Sequence, residues 1–262
     1  MSVAKPTDWV AEPPRPGGPP RRDRRPRRRA LSRDAIVDAA IRVLDAEGLD
    51  AVTMRRVAQE LGTGGASLYA HVDNKDDLLE LVRDRVIGEM HVPEPDADNW
   101  REQIKECVRE MRRVFVAHAD LARVNLANIP LGPNAISRMD RMLAILRTSG
   151  LPDKVIAFAA DLLALYATVV AVEDSSYASR LSPEEAERYF RELGEYIHSL
   201  PADRFPNMAA LAPAMMAGDP EERFEFGIDV LISGLEAQAK RGYARPEAER
   251  SHQNAGQEVP RR

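Results

Sequence analysis

The fold is decided by residues 32–75, which read SRDAIVDAAIRVLDAEGLDAVTMRRVAQELGTGGASLYAHVDNK. Ser32 is placed to cap a helix, and apolar residues then recur at helical spacing until Gly48 ends it. Thr53 is placed to cap a second, shorter helix that Gly62 ends. The stretch therefore predicts two helices with a short connection between them.

A tight turn at residues 62–64 leads into a third helix, which we expect from about Gly65 to His71. On it, Leu68 and Val72 are four residues apart and point back at the second helix. Two helices joined by a glycine-containing turn form the helix-turn-helix geometry, which places the later helix in a DNA major groove. An αα-corner inside any other helical protein would give the same pattern, so the pattern alone does not separate the two.

The side chains that this arrangement leaves outward suit a nucleic-acid partner. Hydroxyl, imidazole and cationic groups can meet phosphate oxygens and base edges. We expect Tyr69 and Lys75 at phosphates, and Ser67, His71 and Arg55 nearest the bases. The full set of predicted DNA contacts is Thr53, Arg55, Gly64, Gly65, Ala66, Ser67, Tyr69, His71 and Lys75.

A set of residues spread over this stretch also carries a family resemblance. These residues are Ala39, Ala40, Leu44, Gly48, Thr53, Arg55, Val57, Ala58, Leu61, Gly62, Ser67, Leu68, Tyr69, His71, Val72, Asn74 and Lys75. Over about residues 31–90 the chain resembles the DNA-binding domain of the tetracycline-repressor (TetR) family, most specifically in SLYAHVDNKDDLL, residues 67–79. Residues 64–66, Gly-Gly-Ala, depart from the family, whose members often carry larger polar residues there, so the bound DNA sequence stays open.

The resemblance implies a transcriptional repressor that binds double-stranded DNA at a palindromic operator as a homodimer. It also implies a second, helical domain that takes up a small, largely apolar effector and then releases the DNA. Two alternatives stay open. One is a constitutive DNA-binding protein with a filled core, and the other is an acidic helical adaptor or enzyme whose Arg-rich arm binds acidic partners.

Length and composition agree with an all-α protein of two domains. The chain has 262 residues, 44% of them hydrophobic and 5% aromatic, which favours helices over strands. We expect a three-helix helix-turn-helix domain at 32–91 and a helical-bundle domain for effector binding and dimerisation at 96–243. A single cysteine, Cys107, excludes an intramolecular disulfide and suits a reducing cytoplasm.

Charge is distributed unevenly along the chain. Residues 1–33 carry a net charge of +7 and the remainder −12, an asymmetry that indicates a polyanion partner. The Pro- and Arg-rich arm 1–31 and the polar tail 244–262 are expected to be disordered. Arginines at the end of the arm can lie along phosphates or enter a minor groove. A solvated charge run is the alternative, but the run stands directly before the helix-turn-helix, as homeodomain arms do, which favours DNA contact. The arm residues predicted to contact DNA are Arg27, Arg28 and Arg29.

The second domain is helical by periodicity, and four of its details can be checked. Pro93 and Pro95 are expected to end a helix over residues 76–91, and residues 200–218 to form a loop with one or two helical turns. Ile136 is expected to face inward. Helices at 153–179 and 220–240 have more apolar surface than one core uses, so we expect them to form the dimer interface, with Leu231 and Leu235 in it. The longest apolar run, 162–172, is too short to span a bilayer, so no membrane is expected.

Large, adaptable side chains on several helices of this domain indicate an effector pocket. The predicted lining is Trp100, Met111, Phe115, Asn125, Met139, Met142, Phe158 and Tyr166, with Asn128 as a second polar anchor. Each of these residues taken alone is as well explained by ordinary core packing. Most of the expectation of a cavity therefore comes from the family resemblance.

No catalytic constellation is present in the sequence, so neither an enzyme nor a cofactor is expected. The five histidines do not stand in HExxH, HxH or Cys-His spacing, and there is no GxGxxG loop. A metal held by His118 and Glu173 is a minor alternative, since an isolated histidine is more often structural.

Overall fold

The computed structural model describes residues 31–118, 121–127, 129–178 and 180–240, and all secondary structure within these ranges is helical. The helices are α1 (Arg33–Glu47), α2 (Met54–Glu60), α3 (Lys75–Ile87), α4 (Trp100–Ala117), α5 (Leu121–Ala127), α6 (Pro133–Thr148), α7 (Asp153–Ala178), α8 (Pro183–His198), α9 (Pro206–Met215) and α10 (Pro220–Lys240), with 3₁₀ helices at Leu49–Ala51 and Gly65–Ala70. The all-α fold class is confirmed. The predictions for the arm at residues 1–30, for Asn128 and for the tail from residue 241 onward lie outside the described residues.

Both predicted caps at the start of the chain are confirmed. The hydroxyl of Ser32 accepts a hydrogen bond from the backbone N–H of Ala35, and the hydroxyl of Thr53 accepts one from Arg56 at 3.1 Å. Gly48 follows α1 with φ of 84°, a backbone conformation that favours glycine. These caps fix the ends of α1 and the start of α2, so the two helices pack with fully buried apolar faces.

The third helix has the predicted position but is a 3₁₀ helix. It covers Gly65–Ala70, and the backbone N–H of Ser67 donates to Gly64 and that of His71 to Leu68, three residues back. A segment of six residues between two turns is too short to establish α-helical hydrogen bonding, and the tighter turn is common in such pieces. Leu68 and Val72 are buried as predicted.

Helix α3 ends earlier than predicted. Asn74 caps its start through a hydrogen bond from the backbone N–H of Asp77 at 2.9 Å, but the helix stops at Ile87, well before Pro93. A tertiary contact fixes this end of the helix, because the guanidinium of Arg138 donates a hydrogen bond to the carbonyl oxygen of Gly88 at 2.6 Å. The chain then runs without regular structure to α4.

The core of the second domain is built around α7, which contacts α4, α5, α6 and α10. Ile104, Ile145, Leu163 and Ile228 are fully buried in this core. Helix α7 is also long and apolar enough over Asp153–Tyr177 to cross a bilayer by length and composition alone. The uninterrupted apolar run 162–172, on which the expectation of no membrane rests, is only part of this stretch. A helix at the centre of a packed core passes the same test.

Two further expectations for this domain are wrong. The stretch predicted as a loop contains α9, ten residues long, which begins at Pro206. Proline suits the first helical position because no intrahelical N–H donor is needed there, and the Ala- and Met-rich sequence then favours a helix. Ile136 is exposed, and Ala135 beside it is buried instead.

Candidate functional site

The predicted DNA contacts lie together on the segment between Thr53 and Lys75, and none of them is buried. Thr53, Arg55, Gly64, Ala66, Ser67 and Tyr69 are exposed, and Gly65, His71 and Lys75 are half-buried. Tyr69, at 56% exposure, is a large side chain that the protein core does not use. The fold thus presents hydroxyls and cations on the helix-turn-helix surface, where DNA phosphates would meet them.

Two neighbouring arginines on α2 have different roles. Arg56 is held by Glu47 at 2.6 Å and Glu60 at 3.2 Å, and the hydrogen bond that it donates to Glu47 is the main cause that raises the pKa of Arg56. Arg55 is exposed and has no hydrogen-bond or ion-pair partner among the described residues. Arg55 is therefore the cation that remains available to a polyanion.

Arg33, at the start of α1, supports the helix-turn-helix surface and is not among the residues predicted from the sequence. Its Nε donates to the carbonyl oxygen of His71 at 3.2 Å, which ties the end of the 3₁₀ helix to α1. Arg85 of α3 likewise bonds Asp38 of α1 at 2.8 Å. These contacts hold the three elements as one unit.

A small cavity of about 70 Å³ lies in the second domain, where the end of α3 meets α4, α5, α6 and α7. Its lining consists of Ile87, Met90, Val92, Cys107, Met111, Phe115, Asn125, Pro130, Ala135, Arg138, Met139, Met142 and Ala164. A wider cleft of about 600 Å³ adjoins it and shares Asn125 and Met139 among its lining residues. Burial raises the pKa of the Cys107 thiol to about 12, so the cavity wall is neutral there.

Five of the eight predicted pocket residues line this cavity: Met111, Phe115, Asn125, Met139 and Met142. Phe158 does not, and it is 54% exposed. Tyr166 stacks on Phe224 with ring centroids 5.5 Å apart, and Trp100 is buried in the core. Phe158, Tyr166 and Trp100 therefore do not line this cavity, since helical periodicity does not tell a core position from a cavity wall.

Arg138 also lines the cavity and is not among the predicted pocket residues, although the sequence contains a signal for it. Arg138 lies three residues after Ala135 and four before Met142, which is the helical spacing of one inward face. A charged residue on such a face is rarely buried without a partner. Its Nε atom and the Oδ1 atom of Asn125 are both buried and have no hydrogen-bond partner among the described residues.

Comparison with known families decides what this architecture is. The model for bacterial regulatory proteins of the tetR family matches residues 36–82, and that for the tetracyclin repressor-like C-terminal domain matches residues 92–239. Together they span the helix-turn-helix and the helical bundle. The chain belongs to the TetR family. It is therefore a DNA-binding transcription regulator of the helix-turn-helix type.

Individual TetR-family relatives are similar over most of their length. The transcriptional repressor DrrR1 of Streptomyces coeruleorubidus is 34% identical over 226 residues, 82% of this chain and 81% of the relative. The class C tetracycline repressor of Escherichia coli is 31% identical over 212 residues, 79% of this chain and 91% of the relative. Crystal structures of ActR from Streptomyces coelicolor also match. Apo ActR is 47% identical with a TM-score of 0.74, covering 80% of this chain and 97% of ActR. ActR in complex with actinorhodin is 48% identical with a TM-score of 0.74, covering 80% of this chain and 98% of ActR.

In this TetR-family chain, the two domains are joined by buried polar contacts. Asp84 of α3 accepts hydrogen bonds from the backbone N–H groups of Asn134 at 3.3 Å and Ala135 at 3.0 Å, at the start of α6. Arg83, also buried, pairs with Glu80 and donates to the carbonyl oxygen of Ile129 at 3.4 Å. Helix α3 is thus attached to the loop and helix beside the cavity.

His118 belongs to the same junction and does not pair with Glu173. Its Nδ1 lies 2.7 Å from Asp45 of α1, and its Nε2 lies 3.4 Å from Glu89, just after α3. Glu173 is exposed. Among the described residues, no group of three potential ligands is placed to hold a metal ion. The alternative of a metal shared by His118 and Glu173 is therefore not supported, and His118 instead connects the two TetR domains.

Apolar stripes on α7 and α10 remain outside the core of the single chain. On α7 the exposed residues Phe158, Leu162, Leu165 and Val169 recur at helical spacing, and on α10 they are Phe226 and Val230. Leu231 and Leu235, which we expected in the interface, do not belong to these exposed stripes. Leu235 is buried in its own chain and Leu231 packs against the same core, because α10 turns that face toward α7.

Proposed function

We propose that this TetR-family chain is a ligand-responsive transcriptional repressor that binds a palindromic operator as a homodimer. A small, largely apolar molecule in the second domain then releases the DNA. The observation that carries the proposal is the position of the cavity, because Ile87 and Met90, at the end of α3, form part of its wall. A ligand there contacts the helix that leads back to the DNA-binding surface.

Helix α3 can transmit such a contact. Its 13 residues span roughly 20 Å, and its first residue, Lys75, is itself a predicted DNA contact. A helix moves as a rigid rod, so a shift at Ile87 displaces Lys75. A ligand changes DNA affinity only if it prefers the arrangement that does not fit the operator. A coupling of about 1–3 kcal/mol changes affinity roughly 5- to 150-fold, which is enough for a switch.

The relatives support the two halves of this proposal. DrrR1 and the class C tetracycline repressor are named as repressors. ActR has been crystallised with actinorhodin, so a protein that is 48% identical to this chain takes up a small molecule. By this likeness we propose repression and effector binding for the present chain. We also propose that it acts in the cytoplasm, where its DNA is, without a cofactor.

The homodimer is proposed from the exposed stripes on α7 and α10. Isolated apolar residues are normal on a protein surface, but a contiguous stripe of large ones marks an interaction site. A second copy presents the same stripes, so a two-fold interface covers both at once. Two helix-turn-helix surfaces then meet half-sites separated by whole turns of DNA, which is why the operator is a palindrome.

The arginines of the arm, Arg27, Arg28 and Arg29, lie outside the described residues. We propose that they add affinity for the DNA backbone without selecting sequence, because residues 64–66 offer few side chains to base edges. Deletion of residues 1–29 should weaken binding to specific and random DNA alike.

One alternative function is favoured by a specific observation. The inner cavity of about 70 Å³ is smaller than the several hundred Å³ typical of ligand sites. This small size favours a constitutive regulator with a filled core. The adjoining cleft of about 600 Å³ favours ligand response instead, since a ligand can occupy both. The adaptor or enzyme alternative does not account for the match to both TetR-family models.

The test starts from selection of duplexes from a random DNA library by the full-length protein. We expect the enriched sequence to be an inverted repeat. Its affinity is then measured by fluorescence anisotropy with and without members of a small-molecule library, using the Tyr69→Ala protein as a control for the DNA surface. A repeat that is bound equally well with every molecule that binds the protein would exclude ligand response and leave the constitutive regulator.

A further inference from the structure

Two buried polar atoms on the cavity wall lack a partner, and they are of opposite kinds. The Oδ1 of Asn125 is an acceptor and the Nε–H of Arg138 is a donor, and neither is hydrogen-bonded to a described residue. The rest of each side chain is engaged. The Nδ2 of Asn125 donates to Thr168 at 3.4 Å, and a terminal nitrogen of Arg138 donates to the carbonyl oxygen of Gly88 at 2.6 Å. These bonds hold the two side chains in place while one atom of each stays open.

An unpaired buried donor or acceptor is costly, so such groups in native proteins are nearly always satisfied by something. The guanidinium of Arg138 also has no carboxylate within 4.0 Å among the described residues, whereas Arg141, one turn later, pairs with Glu94 at 2.9 Å. A positive charge at a mainly apolar wall attracts an oxygen with negative charge or a strong dipole. The open positions therefore suit an occupant with one hydrogen-bond donor, such as a hydroxyl, and one accepting oxygen.

The remaining wall defines the rest of that occupant. Met111, Phe115, Met139 and Met142 give an apolar, adaptable surface, and the adjoining cleft adds Leu143 and Leu165. Water satisfies isolated polar groups in small cavities, but it gains nothing from these apolar walls. A molecule with an apolar body covers them and places its oxygens at Asn125 and Arg138.

We propose that the effector is an apolar molecule with a hydroxyl group that donates to Asn125 and a carbonyl or carboxylate oxygen that accepts from Arg138. This inference rests on the proposed function and names the chemistry of its ligand. Arg138 also positions α3, because the same guanidinium holds Gly88, which ends that helix. A ligand oxygen that accepts a hydrogen bond from Nε moves the planar guanidinium as a whole. The end of α3, which is bonded to the same guanidinium, then moves with it.

The experiment uses four naphthalene probes with the full-length protein: 6-hydroxy-2-naphthoate with both groups, 2-naphthoate with the acceptor only, 2-naphthol with the hydroxyl only, and naphthalene with neither. Dissociation constants are measured by calorimetry for wild type, Arg138→Met, Arg138→Lys and Asn125→Leu. Arg141→Met is the matched control, because Arg141 lies on the same helix and donates to a backbone carbonyl, that of Val92 at 3.3 Å, but does not line the cavity. Circular dichroism confirms that each variant is folded.

We expect wild type to bind the two-group probe best and naphthalene worst. Arg138→Met should weaken both naphthoates by roughly tenfold or more and leave 2-naphthol within about twofold, whereas Asn125→Leu should weaken the two hydroxylated probes. Arg138→Lys should recover part of the naphthoate affinity, and the Arg141→Met control should match wild type. If naphthalene binds as well as the two-group probe, or if the Arg138 and Arg141 variants lose affinity alike, the inference is wrong.

Operator affinity at saturating 6-hydroxy-2-naphthoate gives a separate readout. We expect the probe to lower the operator affinity of wild type and to have no such effect on Arg138→Met at a concentration that saturates that variant. A full response in Arg138→Met would overturn the positioning role. Discrimination among the probes without any change in wild-type operator affinity would support the ligand chemistry and count against the proposed function, so the two failures are distinguishable.

Discussion

The carboxylate of Asp84, on α3, accepts a hydrogen bond from the backbone N–H of Ala135, on α6, at 3.0 Å. Asn134 supplies two more, from its backbone N–H at 3.3 Å and its side-chain amide at 3.0 Å. Asp84 thus does for α6 what a capping residue normally does from the adjacent position, but from a different helix. Helix α3, which leads to the DNA-binding surface, is thus joined to a wall of the cavity at the N-terminal end of α6. A negative charge is favourable at that end of a helix.

Removal of this cap should destabilise the protein. We expect Asp84→Ala to lower the free energy of unfolding by about 1–2 kcal/mol, because the first turn of α6 is left with unpaired buried N–H groups. Urea denaturation followed by circular dichroism measures the change. Glu192→Ala, an exposed position on α8 with no described contact, is the control and should be nearly neutral.

Gly132 gives a second, independent check on the same cap. A Cβ atom at Gly132 would overlap the carboxylate of Asp84. We expect Gly132→Ala to be destabilising in wild type and much less so in Asp84→Ala, where the conflicting group is gone. A double-mutant cycle measured by urea denaturation detects this coupling, and strictly additive effects would contradict the close approach.

Arg55 and Arg56 offer a matched pair on α2. Arg55→Ala should weaken DNA binding and reduce the salt dependence by about one counterion, because a cation available to phosphate is lost. Arg56→Ala should act mainly on thermal stability, since it removes the contacts with Glu47 and Glu60. Fluorescence anisotropy at several salt concentrations, with melting curves for both variants, separates the two effects. The opposite pattern would mean that the DNA surface is misplaced.

The sequence predicts well those features of the fold that are determined by residues close to them in the chain. The caps at Ser32 and Thr53 and the turn at Gly62 depend on neighbouring residues, so their signals lie within a few positions of their effects. Asp84 is different. It looks like one of several charges on a helix, and only the loop and helix that arrive some fifty residues later bury it. No periodicity within α3 contains that information.

The same reasoning explains which pocket residues were predicted. Met139 and Met142 lie on an amphipathic helix with one apolar face, so inward and outward positions are distinguishable. Helix α7 is nearly apolar all round from Val155 to Val172, so its sequence could not show that Phe158 faces outward while Leu163 is buried. Which side of such a helix meets its own core is set by the helices that pack on it.

Cys107 reports on the cavity because it is the only cysteine in the chain and lines the cavity wall. Its pKa is raised to about 12 by burial, so at about pH 8 the reactive thiolate is scarce. We expect slow alkylation by iodoacetamide in the folded protein, a fast reaction in denaturing urea, and further slowing when a ligand fills the cavity. Mass spectrometry follows the reaction, and equal rates in folded and unfolded protein would show that the thiol is accessible.

The raised pKa of Cys107 also has a consequence for stability. The folded state holds this proton more tightly than the unfolded state, whose thiol has an ordinary pKa near 9.0. The protonated thiol of Cys107 therefore adds to the free energy of unfolding below about pH 9, and this addition is lost as the pH rises toward 12. Relative to Cys107→Ala, wild type should lose stability more steeply over that alkaline range, as measured by urea denaturation at several pH values.

The exposed stripes on α7 and α10 give the prediction for assembly. Val169→Glu and Val230→Glu each place a charge on a surface that we propose a second copy covers, so sedimentation at micromolar concentration should show monomers where wild type is dimeric. Both variants should keep their helical content, because neither residue is part of the core of its own chain.

Leu235→Glu should behave differently and reduce folding itself, since that side chain is 8% exposed within one chain. Val116→Glu, an exposed position on α4 that belongs to neither stripe, is the control and should stay dimeric. A monomeric wild type, or dimers that persist in both stripe variants, would place the interface elsewhere. The monomeric variants should also bind the palindrome weakly, because one helix-turn-helix surface reaches only one half-site.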